Sequence, residues 1–151
     1  AKLLFLSMFG WWAGVIPAIL DAMVTVNRAF HNTLWVPGHF HFYLLLGVLP
    51  MLLAVMYHVI GADANRPEHG SDRLGYWTYL VGGLAFVLMF LAGGRASVPR
   101  RWAVHFAEWQ GYDRVASIGA VLVILALTLF TVRICRALLY GAAPSQPSLS
   151  G

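Results

Sequence analysis

Charge is scarce in this sequence. Only 11% of its 151 residues are Asp, Glu, Lys or Arg, six of them acidic and ten basic. Soluble domains carry roughly 25% charged residues. With 60% hydrophobic residues and a mean hydropathy of +0.71, the chain reads as an integral membrane protein. Cysteine is nearly absent as well. Cys135 stands alone, which excludes an internal disulfide framework and leaves it as a small hydrophobe near the end of an apolar run. No basic stripe with interleaved aromatics occurs, so nucleic acid is excluded as a partner, and the basic residues are assigned to short loops. No internal repeat is visible.

What the sequence does contain is long apolar runs. Four of them, approximately 3–26, 31–60, 74–93 and 115–139, approach or exceed the roughly 20 residues that a helix needs to cross a bilayer. This predicts an all-α membrane protein with four transmembrane helices in membrane lipid over residues 1–140. The Ala-, Pro- and Ser-rich tail 141–151 is expected to be disordered. The first run lacks a charged leader and a small-residue cleavage site, so it reads as a helix rather than a signal peptide. Pro17 is expected to kink it. Gly61 to Arg73 reads as a polar loop, and Gly93 to Arg114 as a longer one.

Two histidines, His39 and His41, lie inside the apolar stretch from Leu34 to Ile60. Ionisable side chains in a membrane are rare and costly, so two buried imidazoles need a reason, most often a metal. On an α-helix, positions i and i+2 point about 200° apart. One helix could therefore serve two separate irons. A single zinc would want its ligands on one face, as i and i+4 supply, and in an extended strand the reading would reverse.

The residues around this pair carry a resemblance. HNTLWVPGHFHFYLLLGV, from His31 to Val48, resembles the tenth transmembrane helix of subunit I of the heme-copper oxidases, with HNT, WVPG and HFH similar to the B-type branch. SVPRR, Ser97 to Arg101, resembles the Pro-Arg-Arg element between that family's eleventh and twelfth helices, and SIGA, Ser117 to Ala120, sits where its last shared helix begins. The chain thus resembles helices nine to twelve, part of a larger twelve-helix subunit I bundle.

The resemblance implies roles residue by residue. His39 matches the axial ligand of the high-spin heme and His41 an axial ligand of the low-spin heme, with Phe40 between them on the electron path. Arg100 and Arg101 match paired arginines that hold heme propionates, which suits a planar, permanently charged guanidinium. His31 and Asn32 match a pair near the propionates. Asn32 stands where much of the family has an aspartate, so no magnesium site is expected. Asn27 also replaces a usual aspartate, and an amide can donate a hydrogen bond but carries no charge. Arg28 is either a substitute partner for that propionate or an interfacial charge. Trp35, Trp77, Trp102 and Trp109 read as an aromatic belt, with Trp35 also placed to pack on a heme edge. Asp21 has two open readings, a functional carboxylate or an interfacial one. His58, His69 and His105 are expected at the interface or in solvent.

Basic residues divide evenly between the two sides of the predicted helices. Lys2, Arg66, Arg73, Arg133 and Arg136 share one side; Arg28, Arg95, Arg100, Arg101 and Arg114 share the other. If cofactor holds Arg100 and Arg101, the remainder puts both termini in the cytoplasm of a prokaryotic cell.

The implied activity is that of a respiratory terminal oxidase, reducing O2 to water with proton uptake. Nitric oxide reduction by the same superfamily is the alternative, and a heme-carrying electron-transfer anchor is the second. The active-site copper or iron, with its three histidines and tyrosine, is expected on the remaining part of subunit I, a separate chain of about eight helices. An electron-donating subunit of CuA or cytochrome c type is expected beside it.

Overall fold

The computed structural model describes residues 1–61 and 70–140. Among them are four helical spans long and apolar enough to cross a membrane and no β-strand, only an isolated antiparallel bridge between Thr33 and Pro99. The tail from 141 and His69 lie outside the described residues.

Helix α1, Lys2–Ala22, carries no charge between Lys2 and Asp21. Pro17 sits buried inside it without breaking it; the backbone instead turns extended at Met23, with ψ 116°. A short helix α2, Val24–Phe30, follows. The first apolar run is therefore divided, and its second piece carries Asn27 and Arg28 away from the α1 axis.

The second span, Trp35–Val59, has three parts. Helix α3, Trp35–His41, leads into a π-helical segment, Phe42–Val48, and then into α4, Leu49–Val59. A π-helix bonds each N–H to the carbonyl five residues back and leaves the ordinary ladder out of step. Pro50 has no N–H, so the Leu45 carbonyl loses the donor it would meet in that pattern. The Tyr79 hydroxyl donates to it instead. Ser7 Oγ likewise donates to the Gly47 carbonyl at 2.8 Å. In a membrane interior such substitute partners are what make irregular backbone tolerable.

Helices α5, Gly70–Arg95, and α6, Gln110–Tyr140, extend beyond the apolar runs that predict them and pack along each other. At their crossing, Gly82 and Gly119 are so close that a Cβ on Gly82 would lie 2.8 Å from the Gly119 carbonyl oxygen. Small residues give membrane helices this close approach, which dispersion then rewards. Leu46, Tyr79, Val87, Ala126 and Phe130 form the core between the spans. Phe5, Trp12 and Ile16 on α1 and Ile118 and Ile124 on α6 are exposed, as side chains bordered by lipid or further helices must be.

Candidate cofactor site

The geometry around the histidine pair begins with a backbone clamp. Leu34 N–H donates to the Val98 carbonyl and Arg100 N–H to the Asn32 carbonyl, both at 2.9 Å. These bonds, with the Thr33 to Pro99 bridge, fasten the start of α3 to the Pro-Arg-Arg turn. Gly94 lets α5 join them, since a Cβ there would lie 2.1 Å from the Trp35 nitrogen. The turn is strained. Ser97 and Arg101 both adopt positive φ, 61° and 70°, where an L-residue gives up roughly 1–2 kcal/mol. Such outliers persist only where surrounding bonds over-determine them.

The clamp sets where the two imidazoles go. His41 Nδ1 lies 2.6 Å from the Pro37 carbonyl oxygen, which can only accept, so Nδ1 carries the hydrogen and Nε2 keeps its lone pair. Its ring meets Phe86 and Phe90 of α5 edge-on. His39 faces the other way, toward α1 and the π segment. Its Nδ1 lies 3.7 Å from Asp21 Oδ2 and its ring edge meets Tyr43. The i and i+2 spacing therefore separates the rings because the π segment begins only after His41. Phe40, between them, is 59% exposed and meets the His41 ring edge-on at 5.4 Å.

Several polar atoms here have no partner. Asp21 Oδ1, Trp35 Nε1, His39 Nε2 and Arg100 Nε are buried and unbonded. A buried polar atom without a hydrogen bond is costly, so a concentration of them marks a place built for a ligand. The donor set suits heme: an imidazole Nε2 with a lone pair for iron, and a guanidinium and an indole N–H for carboxylates.

Other site residues fall around this centre. His31 Nδ1 donates to Asn27 Oδ1 at 3.2 Å, so Asn27 is engaged with His31, and both His31 and Asn32 are exposed. Arg101 is exposed while Arg100 is partly buried. Trp35 is not part of an exposed belt: it is 9% exposed and stacks on Phe30 at 4.7 Å. His58 lies exposed at the far end of the span.

His105 departs from the expectation of a solvated loop residue. Its side chain is 11% exposed, with Nδ1 2.7 Å from Asp113 Oδ2 and Nε2 3.0 Å from the Pro99 carbonyl oxygen. The HxxxxxxxD spacing gives no local hint of this, because loop geometry brings them together. A second polar group escaped the sequence reading at the opposite end of the bundle. Tyr57 donates to Asp72 Oδ1 at 2.9 Å, and Arg133 Nε lies 3.8 Å from Asp72 Oδ2. Arg133, charged within an apolar run, was its only signal.

Residues 1–122 match the family model described as cytochrome c and quinol oxidase polypeptide I. The chain is 31% identical over 140 residues to cytochrome c oxidase subunit 1 of Eremothecium gossypii, covering 89% of the chain and 25% of that protein. It is 30% identical over 139 residues to cytochrome c oxidase subunit 1 of Cereibacter sphaeroides, with 89% and 24% covered. Cytochrome c oxidase polypeptide 1 of Halobacterium salinarum is 29% identical over 111 residues, with 73% and 19% covered. The chain spans a quarter or less of these relatives' length. Among solved structures, a heme-copper terminal oxidase dimer shares the fold, with a TM-score of 0.76 and 24% identity over 94% of this chain and 26% of that one.

Proposed function

Because the chain belongs to the cytochrome c and quinol oxidase polypeptide I family, we propose that it is the C-terminal part of a respiratory terminal oxidase's catalytic subunit, which reduces O2 to water with proton uptake. The observation that carries this reading is the pair of imidazoles on opposed faces of α3. One ring holds its Nδ1 hydrogen on a carbonyl and the other presents a buried Nε2 with no partner.

In this reading His39 binds the high-spin heme iron and His41 the low-spin heme iron, through Nε2 in each case. Bound heme supplies redox-active iron, at one centre to relay electrons and at the other, with a distal copper or iron, to reduce oxygen. The chain's own work is orientation. Pro37 fixes the His41 tautomer, and the rigid α3 turn keeps the two rings a fixed distance apart across Phe40. Arg100 and Arg101 bind propionates with charge-assisted hydrogen bonds, and Trp35 adds an N–H donor. His31, hydrogen-bonded to Asn27, and Asn32, whose carbonyl accepts from Arg100 N–H, lie beside them.

The distal metal, its ligands and the second low-spin ligand belong to the remaining part of subunit I, and electrons arrive through a further subunit. Both termini are assigned to the cytoplasmic face of a prokaryotic membrane. Asn27, an uncharged residue bonded to His31, favours one second reading, nitric oxide reduction. Turnover of both gases by the purified complex separates them. Steady oxygen consumption is expected, and nitric oxide reduction with negligible oxygen uptake would sink the oxidase assignment.

A further inference from the structure

Asp21 is the one carboxylate in the α1 span, in its last turn. Its side chain is 19% exposed, Oδ1 is buried without a partner, and Oδ2 lies 3.7 Å from His39 Nδ1. A carboxylate kept in apolar surroundings without full hydrogen bonding is expensive, so it needs a function or a partner. Across the same imidazole, His39 Nε2 is buried and unbonded. The ring thus has an acid near one nitrogen and no hydrogen-bond partner at the other. The 3.7 Å separation is about half an ångström beyond the outer range for an N–H···O bond, so the contact is close but not yet made.

We propose that Asp21 is a positioning residue for the His39 iron site: it accepts a hydrogen bond from His39 Nδ1–H when Nε2 binds iron. The proposal rests on the assignment of His39 as an axial ligand. The contact fixes the ring's tautomer and, being to an anion, strengthens the ring as a donor to iron. His41 is built differently, because its Nδ1 hydrogen goes to the neutral carbonyl of Pro37. Two imidazoles on one helix turn are therefore given unequal donor strength by unequal partners, a carboxylate from α1 for one and a backbone oxygen for the other. The stronger donor stabilises ferric iron. Asp21 accordingly lowers the reduction potential of the His39 heme and leaves that of the His41 heme alone.

The test uses the complete oxidase complex carrying Asp21→Asn, with heme content, the iron–histidine stretching band and the two heme midpoint potentials as readouts. An outer-shell partner is worth about ten-fold in ligand binding at the low end, and a ten-fold preference for ferric over ferrous iron corresponds to about 59 mV for one electron. The expected result is full heme content, a weaker iron–histidine stretch, an upward shift of that size at the His39 heme and no shift at the His41 heme. Unchanged stretch and potentials with both hemes bound would overturn the proposal. If Asp21→Asn loses the heme, Asp21→Glu decides: restoration of heme and stretch supports the role of the charge, whereas behaviour like the Asn variant refutes it. Failure of the ligand assignment shows separately, since His39→Ala would then keep its high-spin spectrum.

Discussion

The imidazole of His105 lies 2.7 Å from the carboxylate of Asp113, while its other nitrogen reaches the Pro99 carbonyl at 3.0 Å. One side chain thus ties the first turn of α6 to the turn that carries Arg100 and Arg101. Both ring nitrogens face oxygen acceptors, so replacing the ring removes both polar contacts together. His105→Phe is expected to destabilise the complex by about 1–3 kcal/mol and to lower heme retention. Thermal unfolding in detergent and the heme-to-protein ratio measure the two effects.

Histidine substitutions test the two-iron reading. His39→Ala should abolish the high-spin spectrum and carbon monoxide binding while the low-spin band survives, and His41→Ala should do the reverse. If reduced protein never responded to carbon monoxide, two six-coordinate hemes and an electron-transfer anchor would replace the oxidase reading.

Arg100 Nε is buried without a partner, as a residue awaiting a carboxylate would leave it. If Arg100 binds a propionate as proposed, Arg100→Met removes a positive charge near the heme and favours its ferric form. A fall in midpoint potential is expected, equivalent to an electrostatic change on the order of 1 kcal/mol. Redox titration reads it, and a rise would contradict the assignment.

The α5 and α6 contact at Gly82 and Gly119 has no room for a methyl group, with the Gly119 carbonyl oxygen 2.8 Å and the Val123 nitrogen 3.0 Å from a Gly82 Cβ. Gly82→Ala is expected to push the helices apart and cost about 1–3 kcal/mol. A variant as stable as the parent protein would show that the pair is looser than this packing.

The π segment offers a finer measurement. Ser7→Ala and Tyr79→Phe each strip a hydroxyl from a carbonyl of the π segment, of Gly47 and Leu45 respectively. Each is expected to cost about 1 kcal/mol. Together they should weaken amide exchange protection across Phe42–Val48 while leaving Trp35–His41 protected.

The outline of the fold was legible in the residues because a bilayer imposes its thickness on helix length. The four runs needed only composition and spacing to be found. The internal breaks were not legible. Pro17 looks like the place where the first span should bend, yet the chain turns at Met23. Pro50 falls in the middle of the second run, and the Leu45 carbonyl that its missing N–H leaves free is met by Tyr79 from another helix. The same limit hid His105, whose partners come from a loop and a distant helix start, and it gave Trp35 a surface role that burial against Phe30 and Gly94 overrules.

By itself the sequence determined a membrane protein of four apolar helices and, through the HFH spacing, two imidazoles on opposed faces of one helix. Those are consequences of local rules: hydropathy along the chain and 100° per residue around the helix axis. Only the tertiary structure decided that Asp21 stands beside His39. Asp21 comes from α1, and its nearness to His39 depends on how separate helices pack. The Pro37 bond is local to α3 and already decides which His41 nitrogen is left free; what surrounds that nitrogen is settled by the helices on either side.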